Sequence, residues 1–148
     1  MPAARKPEPS ISVREFNQLL LAIPAAIFFG IRAERISAGD TELSLAYSEL
    51  LLRPGGTHSG PSLMAAIDLA MYAAVLSVDR GRIDALTSQM SINFLQRPPA
   101  VDLVARCTLL NSDPRSVVGR SVVFPHDDPS KIVCISTCTF TTPPAKLD

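Results

Sequence analysis

Seventeen residues from Ser62 to Val78 read Ser-Leu-Met-Ala-Ala-Ile-Asp-Leu-Ala-Met-Tyr-Ala-Ala-Val-Leu-Ser-Val. No Pro or Gly interrupts the run, and nearly every residue in it favours a helix. Leu63, Ile67, Ala70 and Ala74 line one face, and Met64, Met71 and Val75 line another, so the helix is apolar all round. A helix of that kind is covered by the rest of its domain. At about 17 residues it is short for a membrane span, and the glycines before it argue further against one. Those glycines belong to Gly55-Gly-Thr-His-Ser-Gly-Pro61, a turn that leads into the helix. Pro61 suits the first helical turn, with Ser59 or Gly60 as the cap.

Asp68 is the only ionisable acid between Glu49 and Asp79. A carboxylate inside a buried helix costs several kcal/mol unless something satisfies it. One reading makes Asp68 a structural group, hydrogen-bonded to an amide or to a neighbouring subunit. The other makes it a general base or nucleophile facing a cleft, with a pKa raised by desolvation. The turn before it favours the second reading, because backbone N–H groups at a helix N-terminus suit a developing oxyanion.

Composition narrows the classes. The 148 residues suit one domain with a real core. Lys+Arg and Asp+Glu are both 14, so no basic field exists for nucleic acid. A hydrophobic content of 47% suggests apolar surface shared between subunits. Cys107, Cys134 and Cys138 make no CxxC pair, and His58 and His126 stand far apart. Cys134 and Cys138, four apart on a strand, are roughly 13 Å from each other, too far to bridge. Reduced thiols in a cytoplasmic protein without a zinc site or cofactor are the expectation. Residues 1–10 carry three prolines and no apolar segment, which predicts a loose tail rather than a signal peptide, before a single domain over 11–148.

Along the chain, Ser12 to Ile23 predicts a helix with a Ser12–Glu15 capping box, ended by Pro24. Ala25 to Gly30 reads as a buried connection. Gly30 to Ala38 and Thr41 to Leu52 read as strands joined by a Gly39-Asp40 hairpin turn. After Gly81 come four more: Asp84 to Leu95, Val101 to Leu110, Ser116 to Phe124 and Lys131 to Thr142. Turns at Asn111-Ser112-Asp113-Pro114 and Pro125 to Ser130 separate the last three. In the first of them Leu86, Met90, Ile92 and Phe94 alternate with Thr87, Gln89, Ser91 and Asn93. Short links between late strands predict an α+β fold, an antiparallel sheet of about six strands around one long helix.

The turn and helix Gly55-Gly-Thr-His-Ser-Gly-Pro-Ser-Leu-Met-Ala-Ala-Ile-Asp68, together with Thr87 to Pro98 ending Ile92-Asn-Phe-Leu-Gln-Arg-Pro98, resemble the hotdog-fold acyl-CoA thioesterases. The resemblance covers about residues 30 to 142 and is strongest to the PaaI-like group related to 4-hydroxybenzoyl-CoA thioesterases. It implies hydrolysis of an acyl-CoA of small or medium chain, in a homodimer or homotetramer with the site at the subunit interface. By matching position it implies Asp68 as base or nucleophile and Gly60 as the amide that polarises the thioester carbonyl. Thr87 becomes a positioning hydroxyl contributed across the dimer interface, and His58, Ser59 and Arg97 become substrate-binding residues. One carboxylate and one oxyanion donor suffice for a thioester, since a thiolate leaves readily.

The chain departs from the commoner His-Gly-Gly pattern. Asp68 follows His58 by ten positions instead of nine, Ser59 replaces a Gly, and Leu52 stands where a water-ordering Asn is often found. A non-catalytic acyl-CoA or small-ligand binding protein is therefore the second reading. A hotdog dehydratase does not fit the His58–Asp68 spacing. Arg53 and Arg120 are further phosphate candidates, Tyr72 reads as packing, and Ser59 lacks the strand-to-helix context of a nucleophile elbow.

Overall fold

The computed structural model describes residues 3–144. Met1 and Pro2 of the expected tail, and the last four residues of the expected domain, lie outside them. In chain order the elements are α1 (Val13–Leu20), α2 (Pro24–Phe29), β1 (Ile31–Ser37), β2 (Asp40–Leu45), β3 (Leu52–Arg53), β4 (Thr57–His58), α3 (Gly60–Val78), β5 (Leu86–Phe94), β6 (Leu103–Ser112), β7 (Ser116–Pro125) and β8 (Cys134–Thr141). Six of the strands form one antiparallel sheet in the order β1-β2-β6-β7-β8-β5, while β3 and β4 pair separately. The sheet curls around α3, and Leu63, Ile67, Ala70, Ala74 and Val75 are wholly or almost wholly buried there. This is the antiparallel sheet around one helix that the order of elements predicted, and the hotdog fold that the resemblance implied.

Small residues allow the sheet to close on the helix. A Cβ at Gly119 of β7 would sit 2.5 Å from Met71 Sδ and 3.1 Å from Cys107 Sγ, so the strand meets the helix where a side chain has no room. Thr41 also reaches the helix, its Oγ1 donating to the Ala70 carbonyl at 2.9 Å.

Local chemistry sets the ends of the elements. Ser12 and Glu15 form the expected capping box of α1. Asn17 on that helix accepts the Ala33 N–H at 2.8 Å and donates to the Ala33 carbonyl at 3.1 Å, both on β1. Ser10, expected to be loose, instead binds the last turn of α3, its N–H donating to the Ser77 carbonyl at 2.7 Å. Ala25 to Gly30, expected as a buried link, is mostly a second helix. Pro24 starts it and Gly30 ends it with a left-handed φ of 65°. Its Ile27 and Phe28 are exposed.

The first hairpin turns at Ala38-Gly39, one residue earlier than expected, because Gly39 supplies the positive φ of 73°. Asp40 is drawn into β2 by Arg35 and Arg106, each 3.0 Å from its carboxylate. Nor does β2 reach Leu52. Asp102 takes the Tyr47 N–H at 2.7 Å and turns the chain away, and a short 3-10 turn follows at Glu49–Leu51. At its far end β6 extends to Ser112, because Asp113 makes the tight turn alone by accepting the N–H groups of Arg115 and Ser116.

The largest departure lies in β5. Simple alternation puts Thr87 with Gln89, Ser91 and Asn93 on the polar face. The structure has a bulge between Thr87 and Gln89, so Thr87 lies opposite Phe140 and Met90 opposite Cys138. The extra residue reverses the alternation. Thr87 therefore joins Met90 and Ile92 on the face turned to α3.

The contact at Gly119 can be tested directly. Gly119→Ala should cost about 1–3 kcal/mol through overpacking against Met71. Urea unfolding should show a lower midpoint with an unchanged slope; an unaltered midpoint would mean that the helix yields freely.

Candidate active site

Asp68 sits near the middle of α3, half-buried and turned toward β5. Thr87 Oγ1 donates to its Oδ1 at 2.5 Å. Among the described residues no cation pairs with it. Burial raises the Asp68 carboxyl above the ordinary aspartate range, and the hydrogen bond from Thr87 works in the opposite direction. Thr87 thus meets Asp68 of its own chain. The bulge makes this possible, because an unbroken alternation would point the hydroxyl away.

Tyr72, one turn further along, packs against Phe16 and Phe140. Its hydroxyl donates to the Ile83 carbonyl at 2.6 Å, which accounts for the residue as packing. The three cysteines are free and buried. Desolvation pushes Cys107 up to about 12 and Cys134 up to about 11, so neither supplies a thiolate nucleophile near neutral pH.

The entrance to α3 is built from a small hairpin. β3 and β4 pair Leu52 with His58 and Arg53 with Thr57, and the tip holds Gly55 at φ 99° and Gly56 at φ 75°. Only glycine adopts two such residues in succession without strain. Ser59 caps the helix: its Oγ accepts the Ser62 N–H at 3.3 Å and its carbonyl accepts the Leu63 N–H at 3.3 Å. Pro61 has no N–H. That leaves the Gly60 N–H as the first-turn amide without an acceptor among the described residues, at the positive end of the helix dipole.

Beside it lies a cavity of about 620 Å³ lined in part by Arg53, His58, Gly60, Leu63, Phe94 and Arg97. All three expected substrate-binding residues are already engaged within the chain. His58 Nε2 lies 2.7 Å from the Val101 carbonyl, which only accepts, so Nε2 carries the hydrogen. Its ring stands edge-on to Tyr47. Arg97 Nη2 donates to the Gly55 carbonyl. Ser59 is the helix cap. Arg53 is exposed on the cavity wall, whereas Arg120 follows the inward Gly119 on β7 and points to the outer side.

Two features of the site were missed by the sequence reading. Phe94 approaches Gly60, with its ring 3.8 Å from where a Cβ would stand; the period-two alternation from Met90 gave its face but not its neighbour. The attachment of Arg97 to the glycine turn links residues 42 positions apart and has no local signal. Gly60 and Asp68 are eight residues apart on one helix, or about 12 Å along its axis. One chain therefore does not bring both onto a single carbonyl carbon.

Comparison with known proteins follows the same stretch. A family described as the thioesterase superfamily matches residues 55–130, half of the chain. A protein of Saccharolobus solfataricus named as an esterase is 35% identical over 88 residues. That match takes in 60% of this chain and 58% of the relative, so the chain spans little more than half the length of that curated protein. A solved structure from a Silicibacter species, named as a thioesterase, is 31% identical with a TM-score of 0.80, covering 93% of this chain and 95% of the other. The Escherichia coli PaaI protein, from the phenylacetic acid degradation operon, shares the fold at 17% identity with a TM-score of 0.74, covering 89% and 96%.

The raised Asp68 carboxyl has a consequence for stability. Above its raised pKa, Asp68 is charged in both the folded and the unfolded chain, and only the folded chain bears the desolvation. Below the ordinary aspartate value it is neutral in both, and the handicap vanishes. Asp68→Asn should therefore raise Tm at neutral pH, with the gain shrinking as the pH falls through the raised pKa. Thermal melts across that range check this; a gain that does not vary with pH would contradict it.

Proposed function

We propose that this chain, which belongs to the thioesterase superfamily, hydrolyses acyl-CoA thioesters to the free acid and coenzyme A. The observation that carries the reading is the Asp68–Thr87 pair, a half-buried carboxylate held by one hydroxyl on the central helix. Asp68 acts as general base on water, or attacks the carbonyl itself. The Gly60 amide takes the oxyanion that develops, at the helix end where the dipole favours negative charge. The tetrahedral intermediate then collapses with cleavage of the C–S bond, giving the free acid directly when water attacks, or an Asp68 anhydride that a water then hydrolyses when the carboxylate does. A coenzyme A thiolate departs without strong acid assistance, since a thiol ionises near pH 8–9.

Because Gly60 and Asp68 stand about 12 Å apart on their helix, the working site takes one from each of two chains. β5 supplies the means. It is an end strand of the sheet, and Leu86, Phe94 and Leu95 on and beside it are exposed. In each chain Thr87 near one end of β5 serves Asp68, and Phe94 at the other end meets Gly60. Two-fold antiparallel pairing of β5 with β5 of a second copy, centred on Met90–Ser91, sets the Thr87 end of one strand against the Phe94 end of the other. Asp68 of each chain then faces the helix entrance of its mate. Arg53, exposed on the cavity wall, is the cation left to meet a coenzyme A phosphate.

Release of free coenzyme A from short, aromatic and long acyl-CoAs, wild type beside Asp68→Asn, tests the reading. Loss of the base should cut hydrolysis roughly a hundredfold or more, with the circular dichroism spectrum unchanged. Full turnover in Asp68→Asn would remove Asp68 from the mechanism, and a fully active monomer would break the two-chain site. If the wild type bound acyl-CoA saturably without turning it over, the binding-protein reading would stand instead, with Leu52 in place of the water-ordering Asn as its cause.

Thr87→Val gives a second handle. The hydroxyl lowers the Asp68 pKa, so its removal should move the acidic limb of the pH–rate profile upward while the plateau falls less than in Asp68→Asn. An acidic limb that stays in place would separate Thr87 from the base.

A further inference from the structure

The hairpin that delivers the Gly60 amide stands apart from the main sheet. Among the described residues, two hydrogen bonds tie it to elements outside itself and its helix. Arg97 donates to the Gly55 carbonyl at the tip, and His58 donates to the Val101 carbonyl at the base. Both partners lie in the short segment that follows β5. That segment is anchored in turn: the Leu95 N–H donates to the Val133 carbonyl at 2.9 Å, and Gln96 Nε2 donates to the Ile132 carbonyl at 2.7 Å. Pro98 and Pro99 stiffen it between the two attachment points.

The tip is closed by one hydrogen bond of its own, from the Gly56 N–H to the Arg53 carbonyl at 3.0 Å, and its two positive-φ glycines add no side chain to stiffen it. A Cβ on Gly55 would lie 3.0 Å from Arg97 Nη2, so the guanidinium rests directly on the glycine. We infer that Arg97 is a positioning residue: by holding the Gly55 carbonyl it fixes the turn that aims the Gly60 N–H. The inference rests on the hydrolase reading of the same site. It also reassigns Arg97 from a phosphate ligand to a clamp on the backbone.

Arg97→Ala, Arg97→Lys and wild type should be compared on an acyl-CoA and on the matching acyl-pantetheine, which lacks the nucleotide and its phosphates. A loosened amide should lower kcat about 10- to 100-fold in Arg97→Ala, equally on both substrates and with KM little changed. Lys, which keeps one donor, should recover part of the loss. A rise in KM confined to the coenzyme A substrate would mean that Arg97 holds phosphate, and would overturn the assignment, as would unchanged kinetics on both. Amide hydrogen exchange provides a readout that needs no turnover. In Arg97→Ala the amides of Gly55, Gly56 and Gly60 should exchange at least tenfold faster, with the body of α3 unaffected. If the wild type hydrolysed no thioester, the hydrolase reading would fall and exchange alone would judge the clamp; unchanged exchange would overturn it.

Discussion

A helix with no polar face has to be enclosed, and in this chain that demand governs nearly everything else. α3 exposes too little polarity to lie on a surface, so the sheet must wrap it, and wrapping requires strands that approach closely. Gly119 meets Met71 where no side chain fits, and Thr41 spends its hydroxyl on a helix carbonyl. Enclosure also determines the chemistry. Any charge on such a helix is desolvated, and Asp68 is the one charge there. The property that makes it costly to the fold, a carboxyl shifted toward its neutral form, is the property that a base working near neutral pH requires.

Much of this was legible in the sequence because it is local. The cap at Ser59, the capping box at Ser12 and Glu15, the length of α3 and the number of strands in the main sheet all follow from residues within a turn or two of one another, whereas the short β3–β4 hairpin was not read. Asp68 stood out because a lone acid in an apolar run has few innocent explanations. What escaped depends on distant partners or on a single extra residue. The bulge beside Thr87 leaves no mark in the hydrophobic pattern, yet it decides which face the hydroxyl takes. Pro24 looked like a stop and proved to be a start, because the left-handed Gly30 closes a helix too short to show periodicity. His58 and Arg97 looked like residues for a ligand, and one nitrogen of each proved to be bound to a backbone carbonyl. Sequence shows that a side chain is polar but not what already satisfies it.

β5 connects the two halves of the proposed site. Thr87 near its start holds the carboxylate, and Arg97 just past its end holds the turn that presents the amide. The strand therefore sets both groups relative to one axis, whichever chain each comes from. Changes in its length or register would disturb acid and amide together, whereas changes on the outer faces of β6 and β7 would reach neither.

The two ends of the sheet differ in a way that bears on assembly. At β1, Asn17 occupies both hydrogen-bonding groups of Ala33, so the middle of that strand is already spoken for. At β5 no such plug exists among the described residues. A sheet that accepts strands at one end and refuses them at the other adds a copy once and then stops. In the two-chain arrangement proposed above, the Asn17 amide therefore favours a closed pair over open-ended stacking of sheets.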